Sequence, residues 1–339
     1  MSKTDFLPAG KLPLEVLSGL LGKIPGGDPR VVLGGRTGED AAVIDLGDRY
    51  LIAASDPVTF ATERPGWYAV QVNANDIAAM GGECRWLLAT LLLPENRTTA
   101  DEVESLFTEL SAACSKLGVA LVGGHTEITS GMERPLICGT MLGEAAPERL
   151  CLKRNARAGD ILLLAGELAI EGTALIAREF PDRLRDSCTT EEIAAGASLL
   201  DEPGISVVAA ARAALDAGGV HAMHDPTEGG LAGAVFELCE AAGLGMELEL
   251  DHVPVHGLTE KFCGLMGLDP LGLISSGSLL IACEPEAASG VITSVTAAGI
   301  KCTAIGALVP REAGLTEFEN GHRRELRRFG RDELVKLFG

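Results

Sequence analysis

Short apolar runs that end in an acidic residue beside glycine or proline recur along this chain, and they limit its folding options more than any other feature. They lead into Glu39-Asp40, Ser55-Asp56-Pro57 and His224-Asp225-Pro226, and a fourth acidic cluster, Asn75-Asp76, lies within Val72–Gly82, VNANDIAAMGG. The runs Ala41–Ile44, Leu51–Ala54, Val119–Val122, Ile161–Ala165 and Val220–Met223 read as buried strands bounded by turn residues. Thr99–Leu117 predicts a helix. Thr99 with Glu102 forms a capping box, and Val103, Leu106, Phe107, Leu110, Cys114 and Leu117 share one face. Gly118 is its natural stop. A second such helix follows His224-Asp225-Pro226-Thr227-Glu228-Gly229-Gly230, with Leu231, Ala234, Val235, Leu238 and Ala242 on one face, ending at Gly243.

This mixture predicts an α/β protein, and 339 residues suffice for two domains. The pattern changes around Arg154–Gly159, where Ala158-Gly159-Asp160 precedes a new strand. The boundary is therefore set there, giving residues 1–155 and 156–310, with 311–339 as a C-terminal tail. Met80-Gly81-Gly82 predicts close packing of a helix on the sheet.

Charge narrows the function. A net charge of −20 disfavours a nucleic-acid or anionic-membrane partner. No apolar run approaches the roughly 18–20 residues of a membrane span, and the first residues lack the apolar core of a signal peptide. Nine cysteines without a Cys-x-x-Cys pair fit free thiols in a reducing cytoplasm and argue against zinc.

The acidic clusters carry the candidate chemistry. Carboxylates alone repel a phosphate, whereas carboxylates holding Mg²⁺ do not. Several aspartates without a Cys/His set therefore point to Mg²⁺ with a nucleotide. Gly123-Gly124-His125-Thr126-Glu127 adds glycines whose backbone could approach an anion. Each aspartate equally fits a capping role; Asp225-Pro226 is a good N-cap with proline at the first helical position. His125 and His224 also fit structural hydrogen bonding.

Taken together, the clusters resemble the aminoimidazole-ribonucleotide synthetase (PurM-like) superfamily. GEDAAVI at Gly38–Ile44, SDPVTF at Ser55–Phe60, VNANDIAAMGG and GGHTE stand in that family's order. HDPTEGGLAGAVFELCEAAGLGMEL and GLDPLGLISSGSLLI are similar to the hydrogenase expression/formation (HypE) branch. The N-terminal half is also similar to thiamine-monophosphate kinases.

The resemblance implies a PurM-like two-domain fold whose N-terminal α/β domain forms a barrel with its twin in a homodimer. It implies ATP and Mg²⁺ as cofactors, γ-phosphate transfer to an unknown acceptor, and room for a maturation partner protein. Residue by residue it implies Mg²⁺ ligation by Asp40, Asp56, Asp76 and Asp225. It implies catalytic roles for Asp76, His125 and Asp225, and ATP contacts from Asn75, Gly123, Gly124, Thr126, Thr227 and Gly229. The chain ends Leu337-Phe338-Gly339 and its last cysteine is Cys302, so a HypE-type reaction on a terminal cysteine is not expected. The alternatives are a small-molecule kinase and a non-catalytic nucleotide-binding protein of this fold.

Overall fold

A computed structural model describes residues 10, 12, 14–24, 27–36, 38–58 and 63–338. Thr59, Phe60 and Gly339, which belong to stretches quoted above, lie outside them. After helix α1 (Leu14–Leu21), the first half of the chain supplies strands β1 (Val31–Leu33), β2 (Ala42–Asp45), β3 (Tyr50–Ala54) and β4 (Pro57–Val58). Helix α2 (Pro65–Ala79), β5 (Glu83–Pro94), α3 (Ala100–Leu117), β6 (Ala120–Thr129) and β7 (Leu136–Ala145) follow. The strands form one sheet in the order β1-β2-β3-β7-β5-β6, with β4 also on β7. Only β5 and β6 run parallel.

The second half supplies β8 (Ile161–Ala165), α4 (Ile170–Glu179), α5 (Pro181–Leu184), α6 (Thr190–Ser198), α7 (Val208–Ala217) and β9 (Val220–His224). It continues with α8 (Gly230–Ala242), β10 (Leu244–Glu249), α9 (Gly257–Met266), β11 (Leu279–Cys283), α10 (Ala288–Ala297), β12 (Cys302–Pro310), β13 (Leu315–Glu319) and β14 (His322–Glu325). Its sheet order is β14-β13-β10-β12-β8-β11-β9.

Local signals set these elements. The Thr99 capping box is present on α3, whose last turn closes on Gly118 in the left-handed conformation. Helix α2 is buried on nearly all sides between the halves, which is why its sequence lacks a clean polar face. Its close seat needs glycine: a Cβ on Gly82 would lie 2.8 Å from Ile52 and 2.9 Å from Ile77, and one on Gly81 only 1.9 Å from the Arg149 carbonyl oxygen.

Three expectations change. The longest strand, β5, was not anticipated, because WLLATLLL is continuously apolar and shows no alternation to mark a strand. GGHTE is not a loop: it lies within β6. Gly124 there lets the strand close on β5, since a Cβ would lie 1.9 Å from the Ala89 carbonyl oxygen. Residues 311–339 are not a separate tail. Strand β13 pairs with β10 and β14 with β13, and Leu334 and Leu337 are buried. The charges of that segment had masked the alternation. No single helix among the described residues is long and apolar enough to cross a membrane.

Candidate active site

A cleft of about 560 Å³ lies between the halves, lined by Asp40, Asp56, Asp76, Asp225, Thr227 and other residues of both. The acids reach it from separate elements. Asp40 precedes β2, Asp56 lies between β3 and β4, Asp76 is on α2, and Asp225 follows β9. All four line this one cleft, although Asp40 and Asp225 are far apart in the chain.

Their environments differ. Asp40 is engaged on both oxygens. The Lys153 ammonium lies 2.9 Å from Oδ1 and 2.8 Å from Oδ2, and also donates to the Gly38 carbonyl. His224 contacts Asp40 Oδ2 at 3.1 Å through Nδ1 and Glu237 at 2.8 Å through Nε2. Burial opposes ionisation of Asp40, but His224 and Lys153 outweigh it and hold the carboxyl below its usual range. Burial likewise works against a charged His224, yet Asp40 and Glu237 bring its pKa up to about 9. Asp40, His224 and Asp225 place ligand-type atoms within 4.8 Å of one another. An imidazolium between two carboxylates has no lone pair to give, so we read His224 as a counter-ion and not as a metal ligand.

Asp76 and Asp225 are the reverse case. Asp76 Oδ2 and Asp225 Oδ1 are buried without a partner among the described residues, as is Glu39 Oε2. Burial pushes the Asp76 carboxyl well up, with Asp225, Asp56 and Asp40 adding repulsion. Burial, then Asp40, brings Asp225 up to about 7. Burial also raises Glu39. Unpaired carboxylate oxygens converging on a cleft are costly unless a cation meets them. Hard oxygen donors of this kind fit Mg²⁺.

The remaining expected residues separate. Thr227 lines the cleft. Asn75 does not face a ligand: its Nδ2 donates to the Ile205 carbonyl at 2.8 Å and its Oδ1 accepts from the Val207 amide at 2.9 Å. It fastens α2 to the segment leading into α7. The Gly229 amide donates to Asp332 at 2.7 Å, so that group is already taken. Gly123, Gly124, His125 and Thr126 are exposed on the edge strand β6 and do not line this cleft; His125 pairs with Glu127 at 3.3 Å. Gly124 meets a need of strand packing, whereas a side chain on Gly123 would meet nothing within 4 Å.

Some residues escaped the sequence reading. Lys153, 0% exposed, lies in a short turn with no motif around it. Asn73 holds the loop of Asp56 by accepting from the Asp56 amide at 2.9 Å and donating to its carbonyl at 3.2 Å. A polar side chain three residues before Asp76 was the available signal. Tyr68 and Glu171, both buried, also line the cleft.

Residues 38–145 match the N-terminal domain of AIR synthase related proteins, and residues 157–316 match their C-terminal domain. A carbamoyl dehydratase HypE of Bradyrhizobium diazoefficiens is 30% identical over 267 residues, covering 77% of this chain and 74% of the relative. The chain belongs to the AIR synthase related family. A selenide, water dikinase of Escherichia coli is also 30% identical, over 321 residues, covering 85% of this chain and 87% of that protein. Among solved structures, E. coli HypE, a hydrogenase maturation protein, superimposes with a TM-score of 0.71 at 24% identity, covering 89% of this chain and 93% of the other. AaThiL complexed with AMPPCP and TMP superimposes with a TM-score of 0.71 at 20% identity, covering 94% of each chain. These two likenesses show that the chain has the fold of those proteins.

Proposed function

We propose that this chain is an ATP- and Mg²⁺-dependent phosphoryl-transfer enzyme that activates the oxygen of an amide- or carbonyl-type acceptor. The observation that carries the reading is the set of partnerless buried carboxylate oxygens of Asp76 and Asp225 on one cleft. Bound Mg²⁺ would neutralise charge between these carboxylates and nucleotide phosphates. Asp76 and Asp225 would hold it, with Asp56 beside them. Asp40 would act through its ion pairs, and Thr227 would offer a hydroxyl to the nucleotide.

The relative named carbamoyl dehydratase supports the acceptor class. Removing water from an amide requires its oxygen to become a leaving group, and a phosphate ester makes it one. The relative named selenide, water dikinase supports a second reading, in which a free small molecule is phosphorylated as the product. An acceptor screen by ADP release separates them. A phosphorylated acceptor accumulates in one case, and free phosphate with a dehydrated product in the other. Asp76→Asn is expected to weaken Mg·ATP binding roughly tenfold or more in calorimetry, the scale of one charged contact. Unchanged affinity sinks the metal assignment.

The assembly proposed is a homodimer joined along β6. Among the described residues that strand has β5 as its only strand partner, and it exposes Val122 at 54% and Ile128 at 53%. Paired edge strands would cover this apolar surface. Gly123, Gly124, His125 and Thr126 would then act at the subunit interface.

A further inference from the structure

The cleft has a second polar station away from the acidic cluster, built from both halves of the chain. Tyr68 comes from α2 and is 3% exposed; Glu171 comes from the first turn of α4 and is 4% exposed. Both line the same cavity, together with Ser276 and Ile274. The Tyr68 hydroxyl is buried with no hydrogen-bond partner among the described residues. Such a group is rare and costly unless something outside the chain meets it.

Glu171 accepts from Ser276, whose amide lies 3.2 Å away, and no salt bridge to it exists among the described residues. Burial raises its carboxyl to about 7, and nearby Asp332 and Glu228 add to the rise. Burial, then the nearness of Glu171, also pushes the Tyr68 phenol well up. The two cations that act on Tyr68 are already engaged: Arg178 with the Ala197 carbonyl, Glu63 and Asp201, and Arg64 with Asp201.

We infer that Tyr68 and Glu171 form the acceptor subsite, and that they select an acceptor bearing a protonated or N–H-bearing nitrogen. This assignment rests on the phosphoryl-transfer reading and adds to it the identity of the group that is recognised. A carboxylate accepts from N–H donors, and a phenol beside it can either donate or accept. The rest of the wall excludes the opposite chemistry. Glu39, Asp40, Asp56, Asp76, Asp225 and Glu228 face the same cavity, with Arg134 the one basic residue among its lining. An anionic acceptor that brings no metal of its own is repelled there. Because the two residues sit on opposite halves, a bound acceptor also bridges the cleft.

Three probes of one shape test this: benzamidinium, benzamide and benzoate. Trp67 stacks edge-on against Tyr68 with ring centroids 5.1 Å apart, so its emission reports occupancy. The titration uses the full-length protein saturated with Mg·ADP, in a Trp86→Phe background that leaves Trp67 as the sole tryptophan. Benzamidinium is expected to bind saturably and benzamide more weakly, with benzoate not binding. Glu171→Gln should weaken benzamidinium roughly tenfold, the scale of a charge-assisted hydrogen bond. Tyr68→Phe should weaken it less.

Mg·ADP affinity by calorimetry should be unchanged in both variants. If wild-type protein does not bind Mg·ADP, the phosphoryl-transfer reading fails. If Mg·ADP binds but benzamidinium affinity is the same in wild type, Glu171→Gln and Tyr68→Phe, the subsite assignment alone is overturned. Equal binding of benzoate and benzamidinium overturns it as well. Tyr68→Phe removes one oxygen without charge, so it keeps the test decisive should Glu171→Gln fail to fold.

Discussion

Asp225→Asn should make the metal-free protein more stable while removing its response to magnesium. The Asp225 carboxyl is buried with Oδ1 unpaired, and burial followed by the nearby Asp40 raises it from 3.8 to about 7. A carboxyl whose folded pKa lies above its unfolded value holds its proton more tightly when folded. It therefore stabilises the fold least once that proton is gone. Stability falls as pH rises from about 4 to about 7 and stays level above. The full displacement corresponds to about 4 kcal/mol at most.

Asparagine keeps the shape and never ionises. At about pH 8 with a chelator, the variant should gain up to about 4 kcal/mol, a rise in melting midpoint of roughly 6 °C. At about pH 5 the gain should nearly vanish, because the native carboxyl is then protonated in the fold. Adding Mg²⁺ at about pH 8 should stabilise wild type and leave the variant almost unmoved. The assay is thermal or urea unfolding across that pH range, with chelator and with Mg²⁺. If Asp225→Asn is less stable than wild type at about pH 8, or gains as much at about pH 5, the account of an ionic cost held ready for a cation is refuted.

Lys153→Met leaves Asp40 with His224 as its one remaining cation and should cost about 3–5 kcal/mol in urea unfolding, the scale of breaking a buried ion pair. A loss much smaller than this would show that the ammonium is dispensable. Asn75→Ala strands the Val207 amide and the Ile205 carbonyl, at a cost of about 2–3 kcal/mol. Hydrogen exchange at the Val207 amide should accelerate sharply, and unaltered protection would contradict its role as a fastener. Val122→Lys puts a charge on the exposed face of β6 and should shift the protein toward monomer in light scattering. A dimer that persists unchanged would place the subunit contact elsewhere.

The parts of the fold set by local chemistry could be read from the chain. The capping box of Thr99 and Glu102 fixed α3, Gly118 and Gly243 ended their helices, and Gly81-Gly82 packed as expected. Asp40, Asp56, Asp76 and Asp225, grouped by the family resemblance, line one cleft: Asp56 and Asp225 follow strands, Asp40 precedes one, and Asp76 stands on the buried helix between the sheets. What escaped depends on long-range partners. Asn75 and Asp76 are neighbours of similar polarity, yet one binds backbone across the halves and the other has a bare oxygen. Nothing local distinguishes them. Lys153, Tyr68 and Glu171 are residue types usually found on surfaces or in cores, and only their common cleft gives them a role. Gly123 and Gly124 were read for the anion they could approach, whereas the Ala89 carbonyl against Gly124 accounts for that glycine.

The fastening of α2 has a mechanical consequence. Asn75 ties that helix to the opposite half on both faces of its amide, and Asp76 is the very next residue. Any rocking of one half against the other must pivot near this point, as a door pivots at its hinge pin. Asp76 therefore sits close to the fulcrum, where displacement is smallest. Such a motion would widen the cleft while leaving the Asp76 carboxylate nearly in place.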